Sequence, residues 1–267
     1  MNQTAGKTEK PLDMSPIKYM LEDTFHFDCH PGVHCFTRCC RGIKIILTPY
    51  DIIQLKNRLS LTSEKFLAEY TVTETLDNGN LPIVILKLLD DEQQSCPFVG
   101  KDGCGVYEDR PTTCRYYPVG MASVSGCGKN LDDQNENQFF FIYEPHCRGF
   151  EEKTEWTIGQ WRKNQGVEIH DEVNAEWTNL MVRKQSFPAH IKLIEQAQQM
   201  FFMASYDIDR FRRFVFESTF LKRYTIEPEI VEKIKEDEPA LLQFALRWLR
   251  AILFEKGEFT PQPEHFA

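Results

Sequence analysis

Short apolar runs broken by turn residues fill the first half of the chain, and regular helical stripes fill the second. The β-branched run Ile43 to Leu47 leads into Thr48-Pro49, an N-cap followed by proline at the first helical position, which predicts a helix to about Arg58. A second helix is expected from Ser63. In TLDNGNLPIVILKLL the dipeptide Asn78-Gly79 separates two β-prone segments and predicts a hairpin. The run QFFFIYE, Gln138 to Glu144, reads as a further strand. Beyond 155 the period changes to that of helices. Ile191, Ile194, Phe201, Phe202 and Ser205 share one face; Phe211, Phe214, Val215 and Leu221 repeat the spacing, as do Leu241, Ala245, Trp248, Leu249 and Ile252. These stripes are read as core. The pattern therefore predicts an α+β protein: a flexible tail over 1–16, a cysteine-rich part of short strands, loops and few helices over 17–155, and a helical region over 156–267.

Charge narrows the partners. Lys plus Arg number 31 against 40 Asp plus Glu, a net charge of −9, which argues against a nucleic-acid surface. The longest apolar stretch, Leu81 to Leu89, is interrupted by Pro82 and Lys87 and is far shorter than the ~20 residues of a spanning helix. The first residues, MNQTAGKTEKPLDMSP, contain no apolar segment of the secretory kind, so a cytoplasmic protein without membrane contact is expected.

Chemistry enters with the cysteines. Nine of them lie between 29 and 147, and none follows. Thiols used as small apolar filler would not avoid the Leu- and Phe-rich second half, so metal ligation or redox chemistry is expected. Two groups stand out: Cys29, Cys35, Cys39 and Cys40 in FDCHPGVHCFTRCCRG, and Cys96, Cys104 and Cys114 in CPFVGKDGCGVYEDRPTTCRYYP. Loops of this length let thiolates converge at ~2.3 Å from one ion. Neighbouring side chains on extended backbone point to opposite sides, so the adjacent pair Cys39-Cys40 is suited to two different metal ions. The spacing matches neither a zinc ribbon nor a ferredoxin run, which leaves zinc and iron both open.

The run CPFVGKDGCGVYEDRPTTCRYYPVG with the upstream CC pair resembles the zinc- or iron-chelating cysteine-cluster family, often called the YkgJ family. Cys39-Cys40 match its CC; Cys96-Pro97-Phe98, Cys104, Tyr107, Arg110-Pro111, Cys114-Arg115 and Tyr117-Pro118 follow in its order, and HCRGFEEKTEWTIGQ resembles its late segment and adds Cys147. The chain departs from the family at the start, where five and three residues separate Cys29, Cys35 and the CC pair instead of two and two. The resemblance implies a metal centre on Cys29, Cys35, Cys39, Cys40, Cys96, Cys104, Cys114 and Cys147, with Cys127 outside the pattern.

Eight thiolates suit two four-sulfur sites, or one [4Fe–4S] cluster and a zinc. Such a site carries about −2 of charge, which Arg38, Arg41, Lys44, Arg110, Arg115 and Arg148 are placed to offset, Arg115 foremost and Arg110 with it. His30, His34 and His146 neighbour cysteines but are not needed as ligands; His170, His190 and His265 read as surface residues. The function expected is metal binding, with iron or an iron–sulfur cluster favoured slightly over zinc. Two alternatives are an iron–sulfur enzyme or electron carrier, with a partial resemblance to flagellin lysine methylases, and a metal-clamped module that meets a protein partner through its C-terminal helices.

Overall fold

The computed structural model describes residues 18–76, 80–123, 137–188, 192–254 and 259. Asn78-Gly79, Cys127, the tail over 1–16, Ile191, His190 and His265 lie outside the described residues. The elements run in the order β1 Thr24–His26, β2 Ile46–Leu47, α1 Pro49–Arg58, α2 Ser63–Tyr70, β3 Thr71–Thr75, β4 Pro82–Leu86, β5 Val99–Gly100, β6 Gly103–Cys104, α3 Thr112–Tyr116, β7 Val119–Ser123, β8 Asn137–Phe141, β9 Glu155–Thr157, α4 Ile158–Gln165, α5 Val167–Gln185, α6 Glu195–Tyr206, α7 Ile208–Glu217, α8 Phe220–Arg223, α9 Pro228–Glu236 and α10 Glu238–Leu253. This is an α+β fold with its strands in small antiparallel sheets: β2-β4-β3, β1-β9, β5-β6 and β7-β8.

Local chemistry explains the first helices. Thr48 accepts from the Asp51 amide while the Asp51 carboxylate accepts from the Thr48 amide at 2.9 Å, a reciprocal cap ahead of Pro49. Thr62 caps α2 with a single bond, its hydroxyl oxygen accepting from the Lys65 amide. The flanks of Asn78-Gly79 do pair, from Thr71 opposite Leu86 to Thr75 opposite Pro82. All five residues of β4 are buried, as befits the central strand of a sheet covered on both faces.

Two apolar cores position the cysteines. The larger packs β2, β4, α1 and α2 against residues of α5 to α10, and Cys96 lies in it. Phe201, Phe211, Val215, Leu241, Ala245 and Leu249 are fully enclosed there, so the helical stripes are spent on packing. Ile194 is different: it precedes α6 and is 70% exposed, because the helix begins one residue later and its side chain lies beyond the buried face. The smaller core gathers Phe25, Phe27, Tyr116, Val119, Phe139, Ile158, Trp161 and Val167, with Cys147 against it. Among the described residues no helix is long and apolar enough to cross a membrane.

Candidate metal centre

The eight described cysteines are all free thiols. Cys29 and Cys35 lie in the loop after β1, and Cys39 and Cys40 end a 3-10 turn, Arg38–Cys40, that starts from Thr37 at φ 64°. Thr37 thus occupies the left-handed region without being glycine, a conformation that the surroundings must impose. The turn is braced by the Cys40 amide on the Thr37 carbonyl at 3.0 Å and by Arg41 Nη1 on the same oxygen at 2.9 Å.

The thiols can be taken as two neighbouring groups that meet at Cys39-Cys40, with Cys39 within electrostatic reach of both, of Cys29 and of Cys96, Cys104 and Cys114. Cys29 is within electrostatic reach of Cys35, Cys39 and Cys147. Cys35 is buried, and its sulfur accepts from the Arg148 amide at 3.1 Å. The 145–149 turn is drawn in by the Asp28 amide on the Gly149 carbonyl, and Gly149 is buried so tightly that a β-carbon would come 2.5 Å from the Phe27 ring. The second group is Cys40, Cys96, Cys104 and Cys114. The Cys96 amide donates to the Cys40 carbonyl at 2.8 Å, Cys104 is paired with Val99 across β5-β6, and Cys114 rides on α3. Cys40 feels Cys96 and Cys114, and Cys114 feels Cys96 and Cys104.

Burial dominates the thiol acidities. It pushes Cys29 up to about 12, with the neighbouring cysteines adding to it, and it raises Cys96, Cys104 and Cys114. Cys39 goes the other way: the hydrogen bond from Cys40 draws it down to about 7, while the same bond raises Cys40. Crowded thiols that resist ionisation singly are suited to a cation that takes several thiolates at once. Among the described residues no three Cys, His, Asp or Glu side chains already stand as a group able to hold a metal ion, so closing either site requires the thiols to turn inward from these positions. The donor set fits a thiophilic metal; the side-chain arrangement is that of free thiols, with Cys39 and Cys40 bonded to each other.

The basic residues divide by what they touch. Arg41 lies within electrostatic reach of Cys39, and Arg110 of Cys104. Arg110 donates to the Tyr107 carbonyl and to Gln165, and its guanidinium covers the Tyr107 ring at 3.9 Å. Arg115 is buried and gives its donors to the carbonyls of Arg110, Gln165 and Glu108, where it clasps the RPTTCR segment onto α4. Lys44 pairs with Glu74, and Arg148 with Glu151, away from the sulfurs.

Several neighbours are invisible in the cysteine pattern. Tyr117 sits beside Cys147, and its phenol, pushed up by burial and then by that sulfur, has no hydrogen-bond partner of good geometry. Behind Cys114, Asp51 is wholly buried and accepts from the Thr112 amide at 2.9 Å and hydroxyl at 2.6 Å, with His170 Nδ1 at 3.3 Å. His170, expected at the surface, is 2% exposed, because α5 packs its ring against Tyr50 and Thr112. The capping box Thr48-x-x-Asp51 was a sequence signal for one end of this network; nothing in the sequence linked it to Thr112 or His170.

A domain that collects eight free thiols in two adjoining groups beside basic side chains is, by its donors, of the metal-chelating class. Residues 28–155, just under half of the chain, match the model of the CxxCxxCC family, described as "Putative zinc- or iron-chelating domain". No curated protein and no solved structure matches the chain significantly.

Proposed function

We propose that the protein binds two metal centres, one on Cys29, Cys35, Cys39 and Cys147 and one on Cys40, Cys96, Cys104 and Cys114, with iron, in iron–sulfur form, as the favoured occupant of at least one. The observation that carries this is the meeting of the thiols at Cys39-Cys40: Cys29 feels Cys39, Cys40 feels Cys96 and Cys114, and Cys39 stands within electrostatic reach of both sets. Each group then holds four sulfurs, the number taken by structural zinc and by a [4Fe–4S] cluster alike. The second group, with Cys96 buried and Cys114 raised by burial, has the character of a closed site that supports folding. The first group, with Cys29 exposed, has access to solvent. A bound metal would supply folding free energy at the second group and Lewis-acid or electron-transfer chemistry at the first. Arg41 and Arg110 would offset thiolate charge, and Arg115 would hold the Cys114 segment in place.

Anaerobic purification followed by elemental analysis and an absorption spectrum of the same sample tests the reading. Iron with acid-labile sulfide and a broad band near ~400 nm supports an iron–sulfur centre. Zinc alone without visible absorption replaces it with two closed zinc sites, and a metal-free protein whose thiols all react freely with alkylating agents contradicts it.

A further inference from the structure

His146 lies next to Cys147 in the turn that closes the first thiol group. Its Nδ1 is 3.3 Å from the Glu144 carboxylate. Its Nε2 is buried and has no hydrogen-bond partner. Glu144 is within electrostatic reach of Cys39 and Tyr117, Tyr117 is within reach of Cys147 and Cys39, and His146 immediately precedes Cys147 in the chain. A neutral ring that donates its Nδ1 proton to a carboxylate presents a lone pair at Nε2. Buried without a donor, such a lone pair is an uncompensated polar atom. A carboxylate on one ring nitrogen is also the arrangement that orients metal-ligating histidines and fixes their tautomer. The other histidines near the cysteines do not share it: His30 is exposed, accepts from the Gly32 amide through Nδ1 and faces Glu152 through Nε2.

We infer that His146 is a metal ligand of the first site through Nε2, oriented by Glu144, and that with Cys35, Cys39 and Cys147 it completes a Cys₃His set. Cys29, the exposed thiol of the group, is then the donor that the metal gives up. This rests on the two-centre reading and amends its first ligand set. A tetrahedral ion takes four of the five donors, and the half-buried imidazole already faces Glu144 with its Nε2 enclosed, whereas among the described residues the Cys29 amide bonds to its neighbour Asp28, which in turn bonds to Gly149.

Anaerobic titration of the full-length, metal-free protein with Co²⁺ reads this directly, because thiolate-to-cobalt charge transfer and the ligand-field bands report the donors at each site. The wild type is expected to bind two equivalents with two distinguishable sets of bands. His146→Ala is expected to weaken one equivalent by tenfold or more and to leave the other unchanged, and Glu144→Gln to weaken the same one by roughly 10- to 100-fold. His146→Cys, which restores a ligand, is expected to recover tight binding with bands moved toward an all-sulfur site. The inference is overturned if His146→Ala keeps both affinities and spectra, or if His146→Cys fails to recover a loss seen in His146→Ala. A wild type without thiolate–cobalt bands defeats the two-centre reading itself, a result separate from any of these.

Discussion

Cys39 and Cys40 show how one peptide unit can serve two sites. Their side chains leave the same 3-10 turn hydrogen-bonded to each other, and this bond makes one thiol acidic at the expense of the other. In the metal-free protein Cys39, held near 7, is therefore expected to be the thiol first modified by iodoacetamide at neutral pH, ahead of Cys29, which remains protonated until about 12 although it is more exposed. Peptide mapping after brief labelling checks this; Cys29 labelled first would show that access outweighs ionisation. Adjacency of the two cysteines was legible in the sequence, but the extended backbone that would send their side chains to opposite sides was not found: they lie in a 3-10 turn with their thiols bonded to each other. Glu144, Tyr117 and His170 were not legible, because their roles arise from side chains brought together across 2 to 119 positions of chain with no shared motif.

At the scale of elements, the cysteine segments are held by a few buried polar groups between helices. Asp51 begins α1, caps it, and binds the start of α3 and the His170 ring on α5. Asp51→Ala leaves the Thr48 and Thr112 amides and the Thr112 hydroxyl without their acceptor in a buried place, and a loss of about 3 kcal/mol in unfolding free energy is expected, measured by denaturant titration. Gly149 plays the matching part for the first group. Gly149→Ala would drive a methyl into Phe27 and the Asp28 carbonyl, 2.7 Å away, and is expected to cost about 1–3 kcal/mol and to displace Cys147 and its neighbours. The helices from Pro49 and Ser63 were readable from their caps, since both N-caps are local. The contact that makes Asp51 a bridge is 61 residues away in sequence and was not readable.

For the molecule as a whole, the α+β class and the helical second half followed from period alone, yet the apolar core joining them did not. Residues from β4 and α1 share that core with Phe201, Phe211 and Trp248, so the helices are the wall against which the second thiol group is built. Lys56 of α1, buried and 2.6 Å from Glu238 at the start of α10, ties the same halves electrostatically. The buried thiols also fix a pH dependence. The acidities of Cys29, Cys96, Cys104 and Cys114 in the folded, metal-free protein lie above the ordinary 9.0, so these groups hold more protons in the folded form than in the unfolded one once the pH exceeds that value, while Cys39, drawn down to about 7, acts the other way only between about 7 and 9. Stability is then fully present below about 9 and declines as pH rises through it, the sign set by proton linkage. Thermal melts of the metal-free protein between pH 8 and pH 11, intervals chosen around thiol ionisation, are expected to show a falling Tm, and the metal-loaded protein a flatter profile because its thiolates are already deprotonated.

The central claim, two centres divided between adjacent cysteines, is tested most directly by the metal content of Cys39→Ser and Cys40→Ser beside the wild type, each purified anaerobically and counted per protein chain. The account predicts that each variant loses one centre and that the two losses differ: Cys40→Ser gives up the metal of the Cys96, Cys104 and Cys114 group, and Cys39→Ser that of the Cys35 and Cys147 group. Identical metal content and identical spectra in the two variants, whether both are full or both are empty, would contradict it.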